Sequence, residues 1–165
     1  LKSAENALPD ILYGDAAAVE FGRTYPYVKD LSLIERKMPF SHQSVFAKRA
    51  LLEKYPFRER FRIGADYDFL LSVYRNGGTF YDLGLPVCKV TLDGLSSRDL
   101  LHTFVETTQI QKEHGISHYS EKAYRKKLKT LKIKQFVMDH FPGPLIALIR
   151  KIQRISRGQN AYYQD

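Results

Sequence analysis

The chain predicts an α/β fold, a small sheet interleaved with helices and followed by a helical appendage. Apolar runs of strand length (residues 11–13, 44–47, 79–83 and 87–92) alternate with stretches of helical period up to about residue 115. Beyond that point only helical patterns occur. With 165 residues, 44% hydrophobic and 13% aromatic, the chain has enough apolar surface for one folded domain with a sizeable core.

Taken in order, residues 11–13 read as a short buried strand ending at Gly14-Asp15, with residues 16–21 continuing as a second strand segment. Gly22-Arg23 marks a hairpin tip before Tyr25-Pro26-Tyr27-Val28. Residues 30–36 suit a short helix with Asp30 at its cap, and Pro39 closes that region. Residues 44–47 form a short strand. Residues 48–55 form a helix stopped before Pro56, and 57–63 an aromatic, arginine-rich loop. Residues 66–74 give a helix ended by Asn76-Gly77-Gly78, a C-cap signal. Strands over 79–83 and 87–92 are separated by Gly84 and Pro86. A turn over 93–97 leads into a helix from Arg98 to about His114, with Ser97 as candidate N-cap and Gly115 as its end. A basic helix spans 119 to about 140, Phe141-Pro142-Gly143-Pro144 breaks it, and a last helix covers 145–157. The chain contains no internal repeat and no low-complexity tract.

Composition removes several function classes. Cys88 is the single cysteine, so no intrachain disulfide forms, and a reducing compartment is the simpler expectation. No apolar run approaches the roughly eighteen residues of a membrane span, and the N-terminus lacks the pattern of a secretory signal. The chain begins at Leu1 rather than Met, as a segment of a longer protein would, although trimmed ends look the same. No His/Cys pair has zinc spacing, and neither a GxxxxGK[ST] nor a GxGxxG loop occurs. Ser41, Ser44, Ser96 and Ser97 lack a nucleophile-elbow context, which argues against a serine hydrolase.

The net charge of +8 is unevenly placed: residues 1–111 carry 14 basic and 14 acidic side chains, residues 112–165 carry 12 and 4. In the last helix Leu145, Ile146, Leu148, Ile149, Ile152 and Ile155 fall at helical spacings, with Arg150, Lys151, Arg154 and Arg157 largely opposite. Just before it, Tyr124, Leu128, Leu131 and Phe136 interleave with Lys126, Lys127, Lys129, Lys132 and Lys134. Such stripes suit helices lying in a membrane surface. They equally suit packing on the body or on a partner chain. Nucleic acid is the other partner a high pI raises, but no recognised binding motif supports it.

The candidate chemistry centres on Ala65-Asp66-Tyr67-Asp68, which opens the apolar run Phe69-Leu70-Leu71. Acids there are favoured by the unpaired N–H groups and dipole of a helix start. A carboxylate can also act as a general base. Side chains two apart do not share a helix face, so one aspartate points into a cleft while the other caps the helix or meets Arg62. Spacing does not choose between these roles. His42-Gln43 precedes a strand. A histidine there is a polar contact, or with its amide neighbour it binds phosphate or completes a metal site. Arg58, Arg60 and Arg62 form either a solvated loop or diphosphate contacts.

Five pieces occur in order: Tyr13-Gly14-Asp15, then Ser41-His42-Gln43-Ser44-Val45-Phe46, then Ala65-Asp66-Tyr67-Asp68-Phe69-Leu70-Leu71, then Gly78-Thr79-Phe80, then Asp93-Gly94-Leu95-Ser96-Ser97. Together, over roughly residues 10–115, they resemble the C-terminal half of a bacterial family 2 glycosyltransferase of the GT-A fold, the kind that builds cell-surface polysaccharides. The resemblance implies a division into residues 1–115, the acceptor-side part of the catalytic domain, and 116–165, a basic amphipathic helical tail. It implies sugar transfer from a nucleotide-sugar donor to a glycan or lipid-linked acceptor, with Asp66 as base. His42, Gln43, Arg62, Asp68, Ser96 and Ser97 form the substrate-binding set, with Asp68 doubling as a structural partner. Where many relatives have Glu before the catalytic Asp this chain has Ala65, and where many have Gly-Gly before the serine loop it has Asp93-Gly94. A divalent cation (Mn or Mg) is expected to be held mainly by a nucleotide-binding half upstream, so the 165 residues are expected to be inactive alone. The implied location is cytoplasmic, peripheral at the inner face of the membrane, through anionic lipid. The alternative from another class is a non-catalytic basic module that binds anionic membrane or nucleic acid.

Overall fold

A computed structural model describes residues 8–20, 23–91, 94 and 98–140, without the side chains of Glu20 and Arg23. The fold is mixed α/β. Strand β1 (Ile11–Glu20) is flanked by β2 (Arg23–Pro26) and β3 (Val45–Ala47), and β4 (Phe80–Thr91) also pairs with β1. Helices α1 (Arg49–Lys54), α2 (Ala65–Arg75), α3 (Leu100–Glu113) and α4 (Glu121–His140) complete the described chain, with 3-10 turns at Leu31–Leu33 and His42–Ser44. The chain packs as two compact units. One takes in the described residues up to Ala17 together with Tyr27–Val90; the other takes in Ala18–Pro26 and the described residues from Thr91 onward.

In the first unit β1 pairs antiparallel with β3 in the register Ile11–Ala47, Leu12–Phe46, Tyr13–Val45. Ile11 and Tyr13 are buried with Leu12 half-buried between them, the period-2 pattern of a strand with one face on a core. The buried Gly14 shifts the parity, so that beyond it Ala16 and Ala18 are the buried positions and Asp15 and Ala17 the half-buried ones. Asp10 clasps the start of this sheet. Its carboxylate accepts from the Thr79 amide at 2.9 Å, the Thr79 hydroxyl at 3.1 Å and Lys48 Nζ at 2.9 Å. Its own amide donates to Thr79 Oγ1 at 2.9 Å.

Two strand expectations change. Gly14-Asp15 does not end a strand; β1 continues through it. Gly14 is required by close approach instead of by a turn, since a Cβ there would sit 2.3 Å from Val87 Cγ2 and 2.9 Å from the Leu85 carbonyl oxygen. Gly84 and Pro86 likewise do not divide β4. Gly84 adopts φ +63° and donates its N–H to Asp82 Oδ1 at 2.9 Å, so the irregularity is absorbed within the strand. Pro86 is exposed there, where its missing N–H costs little.

Helix α2 is the centre of this unit. Five consecutive residues, Tyr67 to Leu71, are buried along with Val73, so the helix is enclosed rather than merely striped. Each fully buried apolar side chain among them contributes about 1.5–3 kcal/mol. Ile34, Phe40 and Phe61 are buried too; Phe40 stacks on Tyr13 at 4.3 Å, and the Tyr67 hydroxyl donates to the Ile34 carbonyl at 2.8 Å. The helix ends as its sequence predicts. Gly77 takes φ +77°, and the Gly78 amide donates to the Val73 carbonyl at 2.9 Å. Asp30 caps its 3-10 turn as expected, accepting from the Ser32 amide at 3.0 Å.

In the second unit α3 is capped by Asp99, whose side chain accepts from the His102 amide at 3.0 Å, so the cap lies two residues beyond the one expected. Its end at Gly115, φ +75°, agrees with the sequence. Gln135 of α4 clasps the start of α3, accepting from the Leu100 amide at 3.0 Å and donating to the Arg98 carbonyl at 2.8 Å. Phe104 of α3 meets Tyr119 edge-on and stacks on Tyr124, each at 5.4 Å. Helix α3, which the sequence division at residue 115 grouped with the body, thus packs with α4. The expected helix at 145–157 lies outside the described residues. Among those described, no helix is long and apolar enough to cross a membrane.

Candidate functional site

The segment Pro39–Ser44 gives His42 its position. Phe40 is buried against Tyr13, and Ser44 is fully buried, its hydroxyl donating to the Ser41 carbonyl at 2.9 Å and its amide to the same oxygen at 3.1 Å. This closes the 3-10 turn and projects His42 and Gln43 outward, both exposed. The turn leads straight into β3, whose pairing with β1 fixes it on the sheet.

The second component comes from the first turn of α2. Neither aspartate is its N-cap; Gly64 holds that position, with no side-chain cap, and both acids stand inside the first turn. There Asp66 accepts from one of the unpaired amides of the helix start, that of Tyr67. They then divide as side chains two apart must. Asp68 is turned inward, 4% exposed at its side chain, and receives both arms of the Arg58 guanidinium. Nε donates to Oδ2 at 2.5 Å, and Nη2 donates to Oδ1. Asp66 is turned outward, 29% exposed. Its Oδ1 accepts from the Tyr67 amide at 2.8 Å, and its Oδ2 lies 2.9 Å from His42 Nδ1.

Two of the sequence-derived motifs therefore meet in one pair. Asp66 holds the His42 imidazole above its ordinary pKa, the hydrogen bond being the main cause and burial opposing it. The Tyr27 phenol borders the same carboxylate: burial first, and then the charge of Asp66, push its pKa up. Tyr27 was not a candidate from sequence, because in Tyr25-Pro26-Tyr27-Val28 it reads only as an apolar strand position.

The remaining candidates separate. Arg58 is committed to Asp68 and lies 4.8 Å from the centroid of the buried Phe61 ring; Arg60 lies 4.9 Å from the same ring. Arg62 and Gln43 are exposed in the first unit. Ser96 and Ser97 lie outside the described residues. From sequence, the aspartate outside the cleft has two roles, capping the helix or meeting Arg62; in the structure the bidentate partner of the inward Asp68 is Arg58. No spacing rule links residues ten apart across a loop, so only the fold could supply that pairing.

What the pair can do follows from its chemistry. A carboxylate with one hydrogen bond to each oxygen retains lone pairs for a further donor, such as a substrate hydroxyl. His42, joined through Nδ1, has its other ring nitrogen to offer a ligand, as donor when protonated and as acceptor when neutral. Among the described residues no three His, Cys, Asp or Glu side chains are grouped so as to hold a metal ion, so His42 and Asp66 do not form a metal site by themselves. No protein-family model, curated protein or solved structure matches the chain.

Proposed function

We propose that the chain is the acceptor-side portion of a glycosyltransferase acting on a nucleotide-sugar, with Asp66 as its general base and His42 as the residue that positions it. The observation that carries this is the 2.9 Å contact between His42 and Asp66, which brings the Ser41–Ser44 and Ala65–Asp68 motifs into one outward-facing pair. A buried ion pair needs no second exposed acid beside it. The inward aspartate satisfies the fold, and the outward one is left for chemistry.

In an inverting transfer, the acceptor hydroxyl attacks the anomeric carbon of the donor while the bond to the nucleoside diphosphate breaks. The hydroxyl proton passes to Asp66, and the diphosphate departs with the bonding electrons. The Tyr67 amide and His42 Nδ1 hold the carboxylate in one rotamer, so no reorganisation is needed as the proton arrives. Gln43, Arg62 and the Tyr27 hydroxyl are the polar groups proposed to contact substrate. No step here runs through a metal, because the described residues do not supply a ligand set for one.

The test is nucleoside diphosphate release by the protein expressed from its whole reading frame, offered a panel of nucleotide-sugars with glycan and lipid-linked acceptors. Turnover is expected to fall about 10²-fold or more in Asp66→Asn, with the protein still folded by circular dichroism. Near-normal turnover in that variant refutes the base assignment. A full-length protein that neither binds nor turns over any nucleotide-sugar refutes the enzyme.

A further inference from the structure

Helix α4 presents two faces of different composition. Tyr124, Leu128, Leu131, Gln135 and Met138 are half-buried and recur at i, i+4, i+7, i+11 and i+14. Tyr124 and Gln135 of this set contact Phe104 and the start of α3. Most of the apolar stripe that the sequence offered to a membrane is therefore spent on intramolecular packing. The opposite face carries Lys122, Lys126, Lys129, Ile133, Phe136 and His140, at the same spacing and all exposed. Ile133 is 67% exposed and Phe136 58%.

This outward face combines two features that water alone does not explain. None of the six α4 lysines has an ion-pair partner among the described residues, and the helix holds seven basic side chains against Glu121 and Asp139. Glu121 is itself paired with Arg125 at 2.7 Å, and Asp139 accepts from Gln135 at 2.9 Å. Two large apolar side chains stand on the same arc as the lysines. A nucleic acid would satisfy the lysines but gives the aliphatic Ile133 nothing to enter. An anionic bilayer satisfies both features. Headgroup phosphates meet the ammonium groups, and the acyl boundary a few ångströms deeper takes Ile133 and Phe136 while the lysine stems extend back to the surface.

We infer that α4 docks in the plane of an anionic lipid surface through Lys122, Lys126, Lys129, Ile133 and Phe136. This docking is independent of whether the first unit transfers sugar. The chain has no tryptophan, so Phe136→Trp supplies a single tryptophan that can be excited apart from the tyrosines. Its emission is expected to shift to the blue on addition of vesicles of equal parts phosphatidylcholine and phosphatidylglycerol, and to be quenched by brominated acyl chains. Vesicles of phosphatidylcholine alone are expected to do neither. In co-sedimentation of the 165-residue protein, each lysine removed weakens binding about fivefold, so Lys122→Gln/Lys126→Gln/Lys129→Gln loses about a hundredfold. Ile133→Ser/Phe136→Ser loses about tenfold or more. All five positions are exposed, so these variants are expected to keep the wild-type circular dichroism. Undiminished binding in both variants overturns the proposal, as does equal binding to uncharged vesicles. A blue shift produced equally by single-stranded RNA, without quenching by brominated lipid, assigns the face to nucleic acid and also overturns it.

Discussion

Asp66 Oδ2 and His42 Nδ1 lie 2.9 Å apart, although 24 residues separate them in the chain. One comes from the first turn of an enclosed helix and the other from a 3-10 turn fixed by a buried serine. Their contact depends on two pieces of independently determined backbone. It is also directional, since the carboxylate's other oxygen is occupied by the Tyr67 amide.

The pair sets a pH dependence. The His42 pKa is raised above its ordinary 6.5 in the folded state, chiefly by the hydrogen bond to Asp66. Folding therefore favours the protonated imidazole. Its contribution to stability is complete below about pH 6.5 and is lost as pH rises through the higher folded value. Denaturant unfolding of wild type and Asp66→Asn is expected to differ more at about pH 6 than at about pH 9. Proton NMR is expected to show the His42 midpoint falling in Asp66→Asn. An unmoved midpoint would show that the two side chains do not meet in solution.

Asp68 and Arg58 are expected to behave asymmetrically. Arg58→Ala leaves a carboxylate that is 4% exposed without its bidentate partner, which costs about 3–5 kcal/mol. Arg58→Lys is expected to recover only part of this, because an ammonium cannot form the paired bonds. Asp68→Leu replaces the inward acid with an apolar side chain and leaves a guanidinium that is one-third exposed. It is expected to cost less than Arg58→Ala. Urea unfolding decides the order, and an Arg58→Ala protein as stable as wild type would refute the pairing.

Asp10 is predicted to govern acid stability. The Thr79 amide, and then Lys48, lower its pKa from 3.8 to about 2. A lowered carboxylate stabilises the fold above the unfolded value, and this contribution is lost as pH falls through the folded one. Asp10→Asn is expected to destabilise the protein by about 1–2 kcal/mol near neutral pH. The difference should shrink between about pH 4 and pH 2. A constant difference over that range would rule out titration of Asp10 as its source.

Gly14 and Gly77 test two separate reasons for glycine. A Cβ at Gly14 would lie 2.3 Å from Val87 Cγ2, so Gly14→Ala is expected to cost about 1–3 kcal/mol. Gly14→Ala with Val87→Ala should recover part of that loss. At Gly77 there is open space but φ is +77°, so Gly77→Ala should cost about 1–2 kcal/mol with no rescue by any neighbour. A thermal transition unchanged in Gly14→Ala would show that β4 does not approach β1 there.

Local features were legible in the sequence. Asn76-Gly77-Gly78 and Gly115 end helices where predicted, because a left-handed residue after a helix is a requirement of the backbone alone. Asp30 caps its turn through its own side chain, two residues from the amide it serves. Features that depend on tertiary neighbours carry no such local signal. Gly14 looked like a turn, and only the approach of Val87 explains it. Ser97 suits a cap of α3 by residue type, but Asp99, three residues before the amide it serves, forms it. For the lysine-rich segment the sequence left membrane and packing both open, and the stacking of Tyr124 on Phe104 shows one side of it packed within the unit while Phe136 stays exposed.

The candidate site divides in the same way. The sequence by itself determined that two acids stand in the first turn of a helix that must be largely buried, because the consecutive apolar side chains Phe69-Leu70-Leu71 cover most of its circumference. It also determined that the two point in different directions, since residues two apart are separated by more than half a helical turn. Which of them points inward was decided by tertiary structure alone. Arg58 reaches the inner carboxylate across a loop, and His42 reaches the outer one from another element. The physical reason is that charges must find partners in space, and the positions of those partners are fixed by packing of the sheet and helix cores, which carries no signature in local spacing.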